Sequence, residues 1–221
     1  MKKKLLVIAD FDGTVSPMDV GYEVLQKFTG RGWDEIDRAY CSGEIGSKEA
    51  YSRIAALITG TREEMFEYVR THARVDPHFV PFSAFCRKEG IGLQILSDGL
   101  DFYIDLVLRK DGLGDIPFFS NVARFRDGRG FTIEFPEANP ACDRCGTCKS
   151  LILERLRPSF DRILYIGDGY SDVCPAEKAD IVFAKGILYR TSREKGLECI
   201  PYRDFEDILR HLRHDGFMTS L

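Results

Sequence analysis

Asp10 and Asp12 are two carboxylates two positions apart in Asp10-Phe11-Asp12-Gly13-Thr14, and they follow directly on the apolar run 5–9. Side by side they repel unless a proton or a cation lies between them. A hard cation is a common reason to gather such groups, and Mg2+ typically takes one or two carboxylates plus phosphate oxygens of a substrate. A second apolar run, 93–96, ends in Ser97-Asp98-Gly99. A hydroxyl followed by a glycine offers an O–H and close backbone N–H groups to a phosphate oxygen. A third run, 162–166, is closed by Gly167-Asp168-Gly169-Tyr170-Ser171-Asp172, which sets another carboxylate where a strand would end. The three runs are too short for helices and are bounded by glycine turns, so they read as buried strands of a parallel sheet. In open α/β sheets the chemistry sits beyond the carboxyl ends of the strands, where all three groups fall.

Asp-x-Asp-Gly-Thr after an apolar strand is the first motif of the haloacid dehalogenase superfamily, and the chain resembles that family at every position of it. The resemblance implies that Asp10 is a nucleophile taking a phosphoryl group as an aspartyl phosphate, and that Asp12 is the general acid and base. It further implies that Asp10, Asp12 and Asp168 hold Mg2+, with Asp172 in support, binding Lys149 or a water at the ion. Ser97 and Gly99 would border the phosphate. Lys149 matches the third motif, at the start of the amphipathic stretch 150–157, and would screen the nucleophile from the phosphate's charge.

The elements that must position these groups read as α/β: a Rossmann-like parallel sheet with helices on both faces, plus an inserted helical-bundle cap. From 81 onward strands are expected over 92–96, 116–119, 162–166 and 180–183, with helices near 100–110, 172–178 and 204–212. Such alternation means a parallel sheet. Between 15 and 80 no strand stands out. Val20, Val24, Leu25 and Phe28, then Ile54, Leu57 and Ile58, then Met65, Phe66 and Val69 recur at helical spacing. The expected division is 1–15 and 81–221 for the catalytic core and 16–80 for a cap. A cap of this kind excludes water from phosphoryl transfer and opens to release product.

The chain has 221 residues, 44% hydrophobic and 30% charged, which suits one good core plus a modest second unit. No apolar run approaches the roughly 20 residues needed to cross a bilayer. The basic start Met1-Lys2-Lys3-Lys4 resembles the n-region of a secretory signal, but Asp10 and Asp12 interrupt the apolar segment behind it. A cytoplasmic location is therefore expected. The net charge of −4 gives no reason to expect nucleic acid. The expected partner is a small phosphorylated metabolite whose charge is met locally.

Cys142, Cys145 and Cys148 form two Cys-x-x-Cys steps just before Lys149, whereas Cys41, Cys86, Cys174 and Cys199 are scattered. The triplet is open to three readings. It could be a soft-metal site, although His72, His78, His211 and His214 are remote in sequence and no fourth ligand is evident. It could be a redox pair, against which the compartment argues, or simple loop packing. With the helical cap and a hairpin-like stretch over 121–135 before it, the triplet resembles the methionine-salvage phosphatase branch of the superfamily. That branch is similar to phosphoserine phosphatase in architecture, and it implies an enol phosphate ester, 2-hydroxy-3-keto-5-methylthiopentenyl 1-phosphate, as substrate. Asp98 stands where the branch commonly has glycine, bringing an acidic side chain to the phosphate pocket.

Phosphoserine phosphatases carry a cap glutamate for the substrate ammonium and a cap arginine for its carboxylate. Here those positions hold Asp19 and Ser52, with Arg53 beside it. Asp19 and Arg53 are thus the residues that would meet phosphoserine, phosphocholine or another amine-bearing ester. Tyr22, Phe28, Trp33, Tyr40 and Tyr51 could face an apolar tail or pack as helix core. A phosphate-binding or regulatory protein of low turnover is the reading from a different class.

Overall fold

The computed structural model describes residues 4–214; Met1, Lys2 and Lys3 of the basic start lie outside them, as does 215–221. β1 (Leu5–Ala9) is buried along its whole length. The chain then forms α1 (Val20–Phe28), α2 (Trp33–Cys41), α3 (Ser47–Ala55), α4 (Arg62–His72) and α5 (Phe79–Glu89) before returning to the sheet as β2 (Gly92–Leu100). After it come α6 (Asp101–Lys110), β3 (Phe118–Phe125), β4 (Phe131–Glu134), α7 (Lys149–Leu156) and β5 (Arg162–Gly167). The one-turn α8 (Val173–Ala176), β6 (Ile181–Ala184), α9 (Gly186–Lys195), β7 (Ile200–Pro201) and α10 (Phe205–His214) complete it.

The sheet runs β4-β3-β2-β1-β5-β6-β7. β1 pairs in parallel with β2 (Leu6 with Gly92, Ala9 with Ile95) and with β5 (Leu5 with Arg162, Ala9 with Ile166). Its two neighbours therefore lie on opposite sides of it, the switch point at which open α/β sheets place ligands. Alternate side chains divide the core into two layers. Leu5, Val7 and Ala9 pack with α1, α4, α5, α6 and α10, and Leu6 and Ile8 with Ile152 and Leu153 of α7 and Leu188 of α9. Capping sets several helix limits. The Asp19 side chain caps α1, Thr61 and Glu64 form a reciprocal capping box on α4, and left-handed Gly90 and Gly196 stop α5 and α9.

The parallel sheet with flanking helices and the added helical segment α1–α4 are as expected, with differences in detail. The strand expected over 116–119 begins at Phe118 and continues to Phe125. Ile116 N–H closes a turn on Leu113 and Pro117 has no N–H to offer, so only the Pro117 carbonyl joins the ladder, to Ile95. β4 pairs antiparallel to β3 and completes the hairpin. The helix expected near 172–178 is a 3-10 turn, Tyr170–Asp172, followed by the short α8. α9 was not expected: only Leu188 and Ser192 along it are buried, too little apolar periodicity to mark a helix. Among the described residues no helix is long and apolar enough to cross a membrane.

Candidate active site

The loop after β1 is set by Asp10, whose N–H donates to the Ile166 carbonyl at 2.9 Å. Gly13 follows with φ +74, and a Cβ there would overlap the Asp168 carboxylate, so glycine is required on both counts. Thr14, fully buried, donates its hydroxyl to Asp168 Oδ1 at 2.8 Å. Lys149, the first residue of α7, reaches the same place with its side chain 1% exposed. Its Nζ lies 2.6 Å from Asp10 Oδ1, 2.7 Å from Asp172 Oδ1 and 3.0 Å from Ser171 Oγ. Burial by itself would lower the Lys149 pKa, but Asp10 and Asp172 outweigh it and hold the ammonium charged well above its ordinary value.

Asp172 is saturated. Its Oδ1 accepts Lys149 and the Tyr165 hydroxyl, and its Oδ2 accepts the N–H groups of Asp168 and Gly169. Burial opposes its charge, yet Lys149 and these hydrogen bonds keep its carboxyl below the usual range. The opposite holds next door. Burial, with Asp172 close by, pushes Asp168 up to about 6, and burial with Asp172 and Asp168 raises Asp10 despite Lys149. Carboxylate oxygens of Asp10, Asp168 and Asp172 lie within 4.8 Å of one another, a crowding that a divalent cation relieves. An all-oxygen donor set suits a hard ion, and the missing Cβ of Gly13 leaves open the side of Asp168 it faces. The residues present fit such an ion.

The Asp12 side chain is engaged elsewhere, and its carboxylate is not among those that converge there. Its Oδ1 accepts the N–H groups of Val20 and Gly21, opening α1, at 2.8 and 3.2 Å, and its Oδ2 accepts the Tyr103 hydroxyl at 2.7 Å. Unpaired helix N–H groups draw a carboxylate more strongly than a neighbouring carboxylate does. Burial, then Asp19, raises the Asp12 pKa to about 8 against these hydrogen bonds.

Ser97 is buried in the irregular stretch of β2, its Oγ accepting the Gly99 N–H at 2.9 Å. Asp98 lines the cavity, but its carboxylate is spent on the surrounding chain. It accepts the Ser47 hydroxyl, the Thr147 N–H at 2.8 Å and the Asn121 side-chain amide at 3.1 Å. Ser47 opens α3, so Asp98 ties the helical segment to the core and to the strip before Lys149.

Asp10, Asp12, Ser97, Gly99 and Asp168 lie on the floor of a cavity of about 340 Å³, roofed by α1–α3. Asp19 lines it while capping α1, its Oδ1 accepting the Tyr22 N–H at 2.7 Å, and desolvation beneath the helices raises its pKa. Tyr22, Trp33, Tyr40 and Tyr51 face the cavity, with Leu25, Ile36, Ala50 and Ile54 between them. Phe28 does not; it packs edge-on against Tyr68. Arg53 also lies outside. One helical turn from Glu49 on the outer side of α3, it pairs with that residue, half exposed. Ser52 is exposed as well, donating to the Lys48 carbonyl. Sequence reasoning missed Asp37, Ser47 and Tyr103. All three are ordinary helix positions whose importance comes from what the fold brings opposite them.

The cysteine strip is a docking surface. Gly46 packs so close to the Arg144 carbonyl that a Cβ would overlap it; Lys48 N–H donates to that carbonyl, Lys48 pairs with Asp143, and Gly146 N–H donates to Ser47 Oγ. Cys142 is exposed, Cys145 and Cys148 are half-buried, and all are free thiols. Among the described residues the acidic group is the only one whose ligand atoms all lie within 4.8 Å of one another; the Cys145 thiol, its pKa raised mainly by burial, also feels Cys148, Cys142 and Cys174 nearby.

The sequence family described as Putative Phosphatase matches residues 5–186. A 2-hydroxy-3-keto-5-methylthiopentenyl-1-phosphate phosphatase of Brevibacillus brevis is 32% identical over 219 residues, covering 96% of this chain and 97% of the relative. A relative of the same description from Bacillus velezensis is 29% identical, covering 98% of this chain and 93% of its own. A solved structure described as a phospho-aspartyl intermediate analogue of phosphoserine phosphatase superposes with a TM-score of 0.72 at 20% identity, over 95% of this chain and 99% of that one. At that identity the likeness speaks for the fold.

Proposed function

Because the chain belongs to the putative phosphatase family, on the phosphoserine-phosphatase-like branch of the haloacid dehalogenase superfamily, we propose that it is a Mg2+-dependent phosphomonoesterase of methionine salvage in the cytoplasm. Its proposed substrate is 2-hydroxy-3-keto-5-methylthiopentenyl 1-phosphate, the ester named for the bacterial relatives. The observation that carries the substrate is the cavity lining. It holds no lysine or arginine among the described residues, and its roof, Asp19 and Asp37 apart, is mostly apolar and aromatic. A leaving group with its own carboxylate, such as serine, would find no counter-charge there, whereas a neutral keto-enol with a methylthio tail would bury apolar surface.

In the proposed mechanism a carboxylate oxygen of Asp10 attacks phosphorus as the bond to the leaving oxygen breaks. Asp12, protonated at neutral pH, gives that oxygen its proton and the free enol departs. Water then attacks the aspartyl phosphate, Asp12 takes its proton, and the Asp10–phosphorus bond breaks to give inorganic phosphate. Lys149 screens Asp10 from the phosphate, and Ser97 and the backbone at Gly99 receive its oxygens. Asp10 and Asp168, oriented by Asp172, would hold Mg2+, which when bound neutralises charge on the transferred group.

A second reading has one observation behind it. Asp19 and Asp37 line the cavity together with Tyr22, Trp33 and Tyr40, a setting that suits the cation of an amine-bearing ester. Phosphate release from the enol phosphate, phosphoserine and phosphocholine separates the readings, with Asp10→Asn as the blank. The enol phosphate is expected to lead in kcat/KM by at least about a hundredfold. If phosphocholine leads instead and Asp37→Asn removes that lead, the second reading replaces the first.

A further inference from the structure

Tyr103 stands in the first turn of α6, fully buried, with its ring beside Phe11 and Phe102 at centroid distances of 6.0 and 5.5 Å. Its hydroxyl donates to Asp12 Oδ2 at 2.7 Å. Two glycines from distant segments make room for that one oxygen. A Cβ at Gly99 would overlap it and come within 2.7 Å of Asp12 Oδ2, and a Cβ at Gly21 would come within 2.8 Å of it. A phenylalanine would fill the same aromatic layer and need no such clearance. The other Asp12 oxygen is held by the Val20 and Gly21 amides, so the carboxyl is gripped from the helical segment on one side and from the core on the other.

We propose that Tyr103 is a positioning residue for both proton transfers, holding Asp12 in the one rotamer that reaches the leaving oxygen and, later, the attacking water. The inference rests on Asp12 being the general acid and base. With Oδ1 occupied by two N–H donors, the mobile proton belongs on Oδ2. Of the two lone pairs on Oδ2, one accepts the Tyr103 hydroxyl and the other carries that proton. As the phosphorus–oxygen bond of the ester breaks, the proton passes to the leaving oxygen and its bonding pair stays on Asp12 as carboxylate. In the hydrolytic step Oδ2 takes a proton from water while the water oxygen bonds phosphorus and Asp10 is released. Tyr103 gains and loses nothing; it keeps the acceptor still through both steps.

Tyr103→Phe keeps the ring and removes the hydroxyl. The kcat/KM for a series of ring-substituted phenyl phosphates reports the phosphorylation of Asp10, and poor leaving groups need the proton most. Tyr103→Phe is expected to lose about tenfold more on phenyl phosphate than on p-nitrophenyl phosphate, with Asp12→Asn steepening the series in the same sense. Equal losses across the series in Tyr103→Phe beside a steep Asp12→Asn would overturn the role of Tyr103 and leave that of Asp12 intact. A flat series in Asp12→Asn would remove the acid itself, and Tyr103's role with it. Should Tyr103→Phe melt too low to assay, Gly21→Ala, whose added Cβ meets the Tyr103 hydroxyl at 2.8 Å and lies outside the cavity lining, must show the same steepening; equal losses there also overturn the proposal.

Discussion

Lys149, buried beneath the cavity floor, and Asp12, on it, show how environment assigns opposite protonation to neighbouring groups. The lysine is kept charged by two carboxylates within 2.7 Å, and the aspartate is kept protonated by burial and by Asp19. An acid protonated below about 8 serves the first step at neutral pH and fails as pH rises through that value. The expected result is a kcat/KM profile that falls above about 8 in the wild type. Asp12→Asn should lack this fall and be lower by about 10²-fold on a poor leaving group. The placement of Asp10, Lys149 and Asp168 was legible because each sits at the end of a strand or the start of a helix with its motif around it, whereas Ser97 lies where β2 turns irregular rather than at its end. The direction of Asp12 was not legible, since it is decided by α1 amides 8 and 9 residues on and by a hydroxyl 91 residues on. Arg53 misled for a similar reason: helix phase pairs it with Glu49 on the outer side of α3.

Among the elements, the strip 142–148 was the least legible. Its cysteine spacing suggests ligands, whereas its backbone is what makes contact, with Gly46, Ser47 and Lys48 of the helical segment and with Asp98 of β2. A hydrogen-bonding role for backbone atoms leaves little trace in side-chain type. Gly46→Ala pushes a methyl group into the Arg144 carbonyl and is expected to cost about 1–3 kcal/mol, read as a lower urea midpoint. Stability equal to wild type would mean that the strip does not dock at α3. α9 escaped notice because one polar helix lying on the sheet needs only Leu188 to anchor it, and β3 started late because of Pro117.

For the molecule as a whole, α/β alternation with a helical segment inserted behind the first strand was readable from apolar period alone, because parallel strands buried on both faces leave short unbroken runs. The acidic group couples the metal to folding. Mg2+ is expected to raise Tm in proportion to the logarithm of its concentration, EDTA to reverse the rise, and Asp168→Asn to abolish it. An unchanged Tm across the Mg2+ titration would count against a cation at these carboxylates. The central place of β1 also bears on how the chain is made. At about 5–20 residues per second on the ribosome, the strand emerging first waits roughly ten to thirty seconds for β5 to follow. Its partners begin only at Gly92 and Arg162, so five apolar residues have both hydrogen-bonding edges open until β2 is made and one edge open until β5 is. The nascent chain is therefore a natural client for chaperones that bind short extended apolar segments, and its solubility on expression should depend on them more than the stability of the finished fold would suggest.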